Sequence, residues 1–383
     1  MLFSPKAYGN IILVLEAQSS LARSSLIWYR TGEQAQVIFL DECAIPFKAN
    51  ATAPYFIKTT LKALTQATDA ALKALHSLSH EDAEKKMPTH VEAVHYILSS
   101  PWIASQARTL SMSFDKNTTI TRQKIEKILE EERAKLAPDT NGPTETIEEK
   151  IFDVRLNGYS VSEWEGKQAT LLEVAYAVTV GGADTIKRLR EACDQIVKPG
   201  KVHFHSSMLL QYVGIRTAMP ERTGYTLIHV HGELTDVLAV KNGSCVFFGS
   251  FPMGINTVIR KIAHSTKTDM LTADSLLSLY LGGRLDEAHT KTVEPIMSDM
   301  SAGWSGELRK IFKDASLEPG LNRSAIVTAR AHEGFFVKSF EAAYPGSKAE
   351  AWAASDIMEG VAFGPGAQRM RGVSVYAIAL GIL

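Results

Sequence analysis

The sequence has few cysteines, no excess of either charge and no long hydrophobic run. Its cysteines, Cys43, Cys193 and Cys245, lie far apart without CxxC spacing, which fits reduced core thiols and argues against a redox motif or a zinc finger. Lys and Arg number 41 against 42 for Asp and Glu, so no overall charge favours nucleic acid. Residues 1–10 lack the pattern of a signal peptide, and the apolar stretch 11–15 is too short to cross a membrane. We therefore expect a cytoplasmic protein without direct membrane insertion.

The length indicates more than one folding unit. The chain has 383 residues, of which 45% are hydrophobic. Because a single core rarely grows past about 250–300 residues, we expect two lobes.

The first hundred residues follow the pattern of a β-meander and a helix. Segments 10–16 and 25–40 are typical of strands, with turns at 18–20 and near Gly32. From Ile57, apolar residues recur at three- and four-residue steps, which predicts a helix over the sheet. Segment 91–99 is again strand-like and ends at Pro101.

A small inserted domain is predicted next. The order is a strand at 108–114, a helix at 121–136, a break at 137–144 and extended segments at 149–164 and 168–180. A helix at 184–196 follows.

The second half repeats the β-meander-plus-helices plan. A strand at 201–206 leads into a helix, and 224–249 is predicted to hold three strands joined at Gly232 and Asn242-Gly243. Helices are predicted at 256–281, 300–315 and 335–343, with a strand at 324–329.

Two stretches carry a resemblance to a known family. Residues 151–194 and 227–263 resemble the insert and the second phosphate hairpin of the actin-like family that includes FtsA (cell division) and PilM (type IV pilus assembly). The resemblance implies an α/β, ribonuclease-H-like duplicated, two-lobed fold with a strand-helix-strand-strand insert in the first lobe. The implied units are residues 1–101 (first lobe), 102–182 (insert), 183–222 (return to the first lobe) and 223–383 (second lobe).

The nucleotide motifs of this family are altered here. ATP binding in the fold needs Gly-rich hairpins near the phosphates and carboxylates that hold hydrated magnesium. The family's D-x-G-S/T falls on residues 16–19, which keep Glu16 and Ser19 but have Gln18 for the glycine. Its D-x-G-x-G-T falls on 229–234, where one glycine, Gly232, remains and Glu233 would repel phosphate.

We therefore expect no cofactor. The family's glycine pair becomes Gly254-Ile255, its adenine-side helix becomes 273–277 without a lysine, and its adenosine turn becomes Ala329-Arg330. Residual ATP and magnesium binding would use the residues at the family's positions: Glu16, Gln18, Ser19, Gly232, Thr235, Asp236, Gly254 and Arg330.

The resemblance implies a non-catalytic, PilM-like scaffold that binds a cytoplasmic peptide of an inner-membrane assembly protein, with self-association possible. Such peptides enter a groove beside the insert, which implicates the 150–180 hairpin. The chain is then peripheral to the inner membrane through its partner. It ends at Ile382-Leu383 without the amphipathic helix of FtsA, which favours the PilM type over a cell-division scaffold.

Two alternatives belong to other classes. An active ATPase would use Glu16 and Asp236 around magnesium. A metal-binding protein would bring together His203, His205, His229 and His231, because alternate residues of a strand share a face. HxH pairs also arise by chance, and histidines at strand ends are often ordinary hydrogen-bonded groups.

Overall fold

A computed structural model of the chain describes residues 9–30, 32–46, 52–81, 87–135, 142–198, 200–314, 323–329, 331–352, 361–363 and 378. In chain order its strands are β1 (Asn10–Ala17), β2 (Leu21–Tyr29), β3 (Ala35–Ala44), β4 (Ala93–Leu98), β5 (Ile103–Thr119), β6 (Thr144–Leu156), β7 (Tyr159–Ser160), β8 (Gln168–Gly182), β9 (Val202–Ser206), β10 (Tyr225–Val230), β11 (Thr235–Lys241), β12 (Ser244–Phe251), β13 (Ser324–Ala329), β14 (Lys348–Ala351) and β15 (Val361–Phe363). Its helices are α1 (Ala53–Glu81), α2 (Arg122–Lys135), α3 (Ala183–Glu191), α4 (Ser207–Ala218), α5 (Ile255–Thr266), α6 (Met270–Leu281), α7 (Glu287–Asp314) and α8 (Glu333–Ala343). No helix in the described ranges is both long enough and apolar enough to cross a membrane.

The first sheet has the order β15-β3-β2-β1-β4-β9. The β1–β2 and β2–β3 pairs are antiparallel, whereas β4 and β9 join in parallel. Helix α1 presents Leu64, Ala71 and Leu75 to this sheet, where Leu13, Leu15 and their neighbours form one core. The helical spacing from Ile57 therefore marks the face that packs on the sheet.

The second sheet has the order β12-β11-β10-β13-β14. It again begins with two antiparallel pairs and continues with two parallel ones. This is the order of β3-β2-β1-β4-β9 in the first sheet, so one unit of topology occurs twice. The core of the second lobe lies between this sheet and its helices, around Trp304, Phe336 and Phe340.

The third sheet, β5-β8-β6-β7, is built by the insert. Its β6–β7 turn has Asn157 and Gly158 at φ of 53° and 86°, the left-handed pair that a tight hairpin requires. Helix α2 packs Ile125 and Leu129 against the sheet. The elements have the predicted strand-helix-strand-strand order, while the exact unit boundaries at 101, 182 and 222 stay predictions.

Several elements differ from the sequence prediction: α3 ends at Glu191 rather than 196, and strands β14 and β15 were not predicted. Strand β5 covers 103–119 rather than 108–114, because it pairs along nearly all of the long β8. The helix predicted at 256–281 is two helices: Lys267 adopts φ of 56° after α5, and Asp269 caps α6 by accepting a hydrogen bond from Thr272 N at 2.8 Å. Helix α7 begins at Glu287 rather than 300 and contains Pro295.

Candidate functional site

The β1–β2 hairpin of the first lobe holds a closed polar network. Glu16 is 1% exposed, and both its carboxylate oxygens are occupied. Gln18 Nε2 donates to Oε1 at 2.8 Å, and Arg23 NH1 donates to Oε2 at 2.6 Å. Arg23 also donates to Glu42 from NH2 at 2.6 Å and from Nε at 3.0 Å. The carboxylate that would hold hydrated magnesium is therefore held by two neighbouring side chains.

The charge of this network is negative overall. Burial by itself lowers the pKa of Arg23, but the carboxylates of Glu16 and Glu42 outweigh it and raise that pKa above its ordinary value. One guanidinium thus stands against two carboxylates. A further buried anion, Asp236, lies on β11, where it is 3% exposed.

The tips of the β1–β2 and β10–β11 hairpins touch each other. Ser19 Oγ accepts a hydrogen bond from Glu233 N at 3.1 Å. A Cβ added to Gly232 would lie 2.1 Å from Ser20 Oγ and 2.3 Å from Ser20 Cβ. Gly232 therefore lets the second hairpin approach the first. In the family that the sequence resembles, the hairpin glycines instead leave room for phosphates.

The remaining candidates on the second hairpin face their own lobe. Thr235 Oγ1 donates to Met253 O at 2.6 Å and accepts from Trp304 Nε1 at 3.1 Å. A Cβ on Gly254 would lie 2.4 Å from His231 O and 2.5 Å from Gly232 O. Both residues thus stabilise the hairpin itself.

Glu233 has a counter-ion within the lobe. Arg260 NH1 and NH2 donate to its two carboxylate oxygens at 2.9 and 2.7 Å. Asn256 Nδ2 adds a third hydrogen bond at 2.9 Å. Such a two-pronged pair fixes the side chain, so Glu233 is a structural anion at the hairpin tip.

Asp236 joins the second lobe to the end of β4. Its Oδ2 lies 2.9 Å from His231 Nε2 and 3.4 Å from the donor Ser100 N. Its Oδ1 and the Nδ1 of His231 have no hydrogen-bond partner among the described residues, although both are buried. Among the predicted nucleotide-site residues that the structure describes, Asp236 is the one with a buried acceptor atom that has no partner.

The four predicted metal histidines fall into two separate pairs. His203 and His205 both stack on His95, with ring centroids 4.7 and 5.2 Å away. His229 instead contacts His231 at 4.2 Å and places Nδ1 2.7 Å from Thr328 Oγ1. Over the described part of the chain, no cluster of three or more His, Cys, Asp or Glu is arranged to hold a metal.

Burial keeps the imidazoles of His95 and His229 neutral. Burial, together with the imidazoles of His205 and His203, lowers the pKa of His95 to about 3. Burial also lowers the pKa of His229 well below its usual value, with His231 and Arg23 adding to the effect.

Sequence reasoning brought together part of this site. It placed Glu16, Gln18 and Ser19 opposite Gly232, whereas Arg330 lies outside the described residues. It missed Arg23, although a basic residue inside the apolar strand LARSSLIWY is a signal of a buried partner. His95 could not be recognised from a sequence motif, because its contacts arise from strand pairing. The pairing of β4 with β9 places it beside His203.

A groove lies where the insert meets the first lobe. It has a volume of about 500 Å³ and is lined by Ile57 of α1, by Trp102 and Ile103 near the start of β5, and by Val180 and Thr185 at the β8–α3 junction. Trp102 stacks on Phe56 with ring centroids 4.9 Å apart, which makes one wall rigid and apolar.

Comparison with solved structures identifies the fold. No protein-family model and no curated protein sequence matches the chain. The structure of a PilM-PilN type IV pilus biogenesis complex aligns with a TM-score of 0.57 over 97% of this chain and 97% of that chain, at 13% identity. Ethanolamine utilization protein EutJ from Carboxydothermus hydrogenoformans aligns with a TM-score of 0.43, 10% identity and coverages of 98% and 93%. A protein of actin-like ATPase fold from Bacteroides thetaiotaomicron aligns with a TM-score of 0.39, 9% identity and coverages of 99% and 98%.

The chain is a two-lobed α/β protein with the actin-like fold, as its duplicated sheet order and the full-length alignment show. The alignment that carries this conclusion is with the structure of the PilM-PilN complex, and it confirms the predicted fold.

Proposed function

We propose that this protein is a PilM-like scaffold of type IV pilus assembly that binds a short peptide of an inner-membrane protein and does not use nucleotide. The observation that carries the proposal is the contact between the two hairpins, Ser19 with Glu233 and Ser20 with Gly232. In this reading the protein works in the cytoplasm and reaches the membrane through its partner.

The contacts between the hairpins oppose nucleotide binding. A triphosphate needs backbone amides from two open hairpins, yet the amide of Glu233 is taken by Ser19. Glu16, at the family's magnesium position, has both carboxylate oxygens occupied by Gln18 and Arg23, and Arg23 is itself shared with Glu42. Opening the site would break these contacts without replacing them.

The groove beside the insert is the proposed peptide site. Its Ile57, Trp102 and Val180 offer apolar contacts to alternate side chains of an extended segment. The start of β5, an end strand of its sheet, forms part of the groove lining. The aligned PilM structure was solved as a complex with PilN, which motivates an inner-membrane protein as the source of the peptide.

Peptide binding can be tested with a variant that fills the mouth of the groove. Ala53 is exposed at the start of α1 and lines the groove, whereas Ser77 is exposed on the same helix away from it. The probes are synthetic peptides covering the cytoplasmic segments of the host's inner-membrane pilus-assembly proteins, with affinity measured by fluorescence polarisation. We expect one peptide to bind wild type and Ser77→Trp equally and Ala53→Trp at least about tenfold more weakly. Absence of binding by every peptide, or equal binding to both variants, would refute the peptide-scaffold function.

A further inference from the structure

A small pocket with both apolar and polar lining residues lies at the end of β4, next to the proposed peptide groove. Its volume is about 130 Å³, and it is bounded by the first lobe, the insert and the second lobe. Serine side chains from each of these parts line it, namely Ser99, Ser105, Ser206 and Ser250. Ile103 and Ala104 line both this pocket and the groove, so the two spaces lie side by side at the start of β5.

The charge of this pocket is negative. Asp236 is the charged residue among those that line it, and its Oδ1 has no hydrogen-bond partner in the described part of the chain. His231 Nε2 lies 2.9 Å from Asp236 Oδ2 and orients the carboxylate. Behind Ser206, Glu148 Oε2 accepts the Ser206 amide at 2.9 Å and adds a second negative charge.

Serine hydroxyls add hydrogen-bond acceptors to the carboxylate of Asp236. Ser99 Oγ is buried without a partner in the described structure, so it can accept a hydrogen bond. Ser105 Oγ lies 2.8 Å from Thr179 Oγ1 and 3.4 Å from Ser206 Oγ, which holds these hydroxyls in place. A buried carboxylate that lacks a partner is unfavourable, and a donor-rich cation would relieve that cost.

We infer that this pocket binds an alkylammonium or guanidinium group, with the carboxylate of Asp236 as counter-ion and the serine hydroxyls as further acceptors. The geometry follows from the chemistry of such groups, which carry several N–H donors and no acceptor. The volume fits one such group with a short aliphatic stem. The cation can be a free small molecule or a basic side chain of a peptide in the groove; the second source rests on the proposed function.

The site is tested with methylguanidinium and with methylurea, a neutral planar analogue. Ser100 N donates to Asp236, so its amide resonance reports on the pocket in a TROSY titration of the full chain. We expect methylguanidinium to shift this resonance saturably and methylurea to leave it unchanged. Asp236→Asn should weaken the binding at least about tenfold, whereas Asp299→Asn, the same change at an exposed position of α7, should not affect it.

A second variant covers the case in which Asp236→Asn does not fold, as judged by its circular dichroism. Ala104→Leu keeps Asp236 and fills the shared mouth at an exposed strand position, and it should weaken methylguanidinium binding by a similar factor. No saturable shift, equal binding of methylurea, or unchanged binding in a folded Asp236→Asn would overturn the site.

The source of the cation is resolved with acetyl-Leu-Leu-Arg-amide and its citrulline analogue. In one outcome the arginine peptide binds more tightly than methylguanidinium, and Ala53→Trp weakens binding of the peptide but not of methylguanidinium. The cation then comes from a peptide bound in the groove. If peptide and free cation bind equally and Ala53→Trp affects neither, the pocket takes a free small cation. In that case the site stands by itself, and the peptide-scaffold function is decided separately by the fluorescence polarisation experiment.

Discussion

At the scale of single residues, Arg23 supplies inside the protein the positive charge that a bound cation would otherwise bring to Glu16. Its guanidinium lies 2.6 Å from Glu16 and from Glu42, and its side chain is 4% exposed. Removing one partner of a buried pair leaves the other charge without compensation, which costs far more than the pair itself contributes.

Replacing Arg23 with methionine should therefore lower the free energy of unfolding by about 3–5 kcal/mol. The matched control is Arg188→Met, which breaks the pair with Asp184 on the surface of α3, where the side chains are 54% and 69% exposed. That change should stay within about 1 kcal/mol. Urea denaturation followed by circular dichroism measures both, and equal losses would mean that Arg23 is not the buried counter-ion described here.

His95 makes stability depend on pH in a defined direction. In the unfolded chain a histidine binds a proton near pH 6.5, whereas folded His95 does so near pH 3. Between these values the unfolded state holds more protons, so the free energy of unfolding falls as pH drops from 6.5 towards 3. One such group gives a slope of up to about 1.4 kcal/mol per pH unit.

We expect His95→Gln to have a smaller slope than wild type between pH 4 and 6.5, measured from urea midpoints at each pH. His264→Gln changes an exposed histidine on α5 and should retain the wild-type slope. A slope that is the same in His95→Gln and in wild type would contradict the assignment of a neutral buried imidazole.

For single residues, the sequence predicts where a site residue lies better than it predicts which side chain will bond to it. The motif positions at Glu16, Gln18 and Ser19 could be found by register alone, because they follow the first strand. That both oxygens of Glu16 are occupied depends on Arg23, seven residues away across a hairpin. Spacing along the chain cannot show which of several nearby charges will pair.

At the scale of elements, the two hairpins close the cleft because one of them has a glycine at its tip. The approach of Gly232 to Ser20 leaves no space for a Cβ, so any side chain there must push the hairpins apart. The contact therefore depends on both turns, one from each lobe.

Gly232→Ala should destabilise the protein by about 1–3 kcal/mol through this steric conflict. Gly306→Ala is the control: it lies within α7, an added Cβ there meets nothing within 4 Å, and alanine favours the helix. Thermal unfolding should show a lower melting temperature for the first and an equal or higher one for the second. If both glycines tolerate alanine equally, the hairpins do not touch in solution.

Elements were predictable where local chemistry determines them. The Asn157-Gly158 and Asn242-Gly243 turns adopt positive φ as the sequence suggests. The break between α5 and α6 was missed, because Lys267 is not a usual left-handed residue and the capping role of Asp269 shows only with Thr272 in place. The length of β5 was missed because its partner β8, about sixty residues on, determines how far it extends.

At the scale of the whole molecule, the duplicated sheet order carries the actin-like fold, and the cleft between the lobes is where proteins of this fold would hold ATP. Here contacts of Ser19, Ser20 and Ser100 cross that cleft between the lobes. Two-lobed architecture was predictable from length and from the repeated meander; the closure was not, since it depends on contacts between residues more than 130 positions apart.

The measurement that tests the central claim most directly is isothermal titration calorimetry of the full chain with Mg-ATP, in wild type and in Glu16→Ala and Asp236→Ala. The account predicts no saturable heat at millimolar ATP in wild type. Saturable micromolar binding that either variant abolishes would contradict it, because the cleft would then open to hold nucleotide and the protein would be a nucleotide-dependent assembly factor.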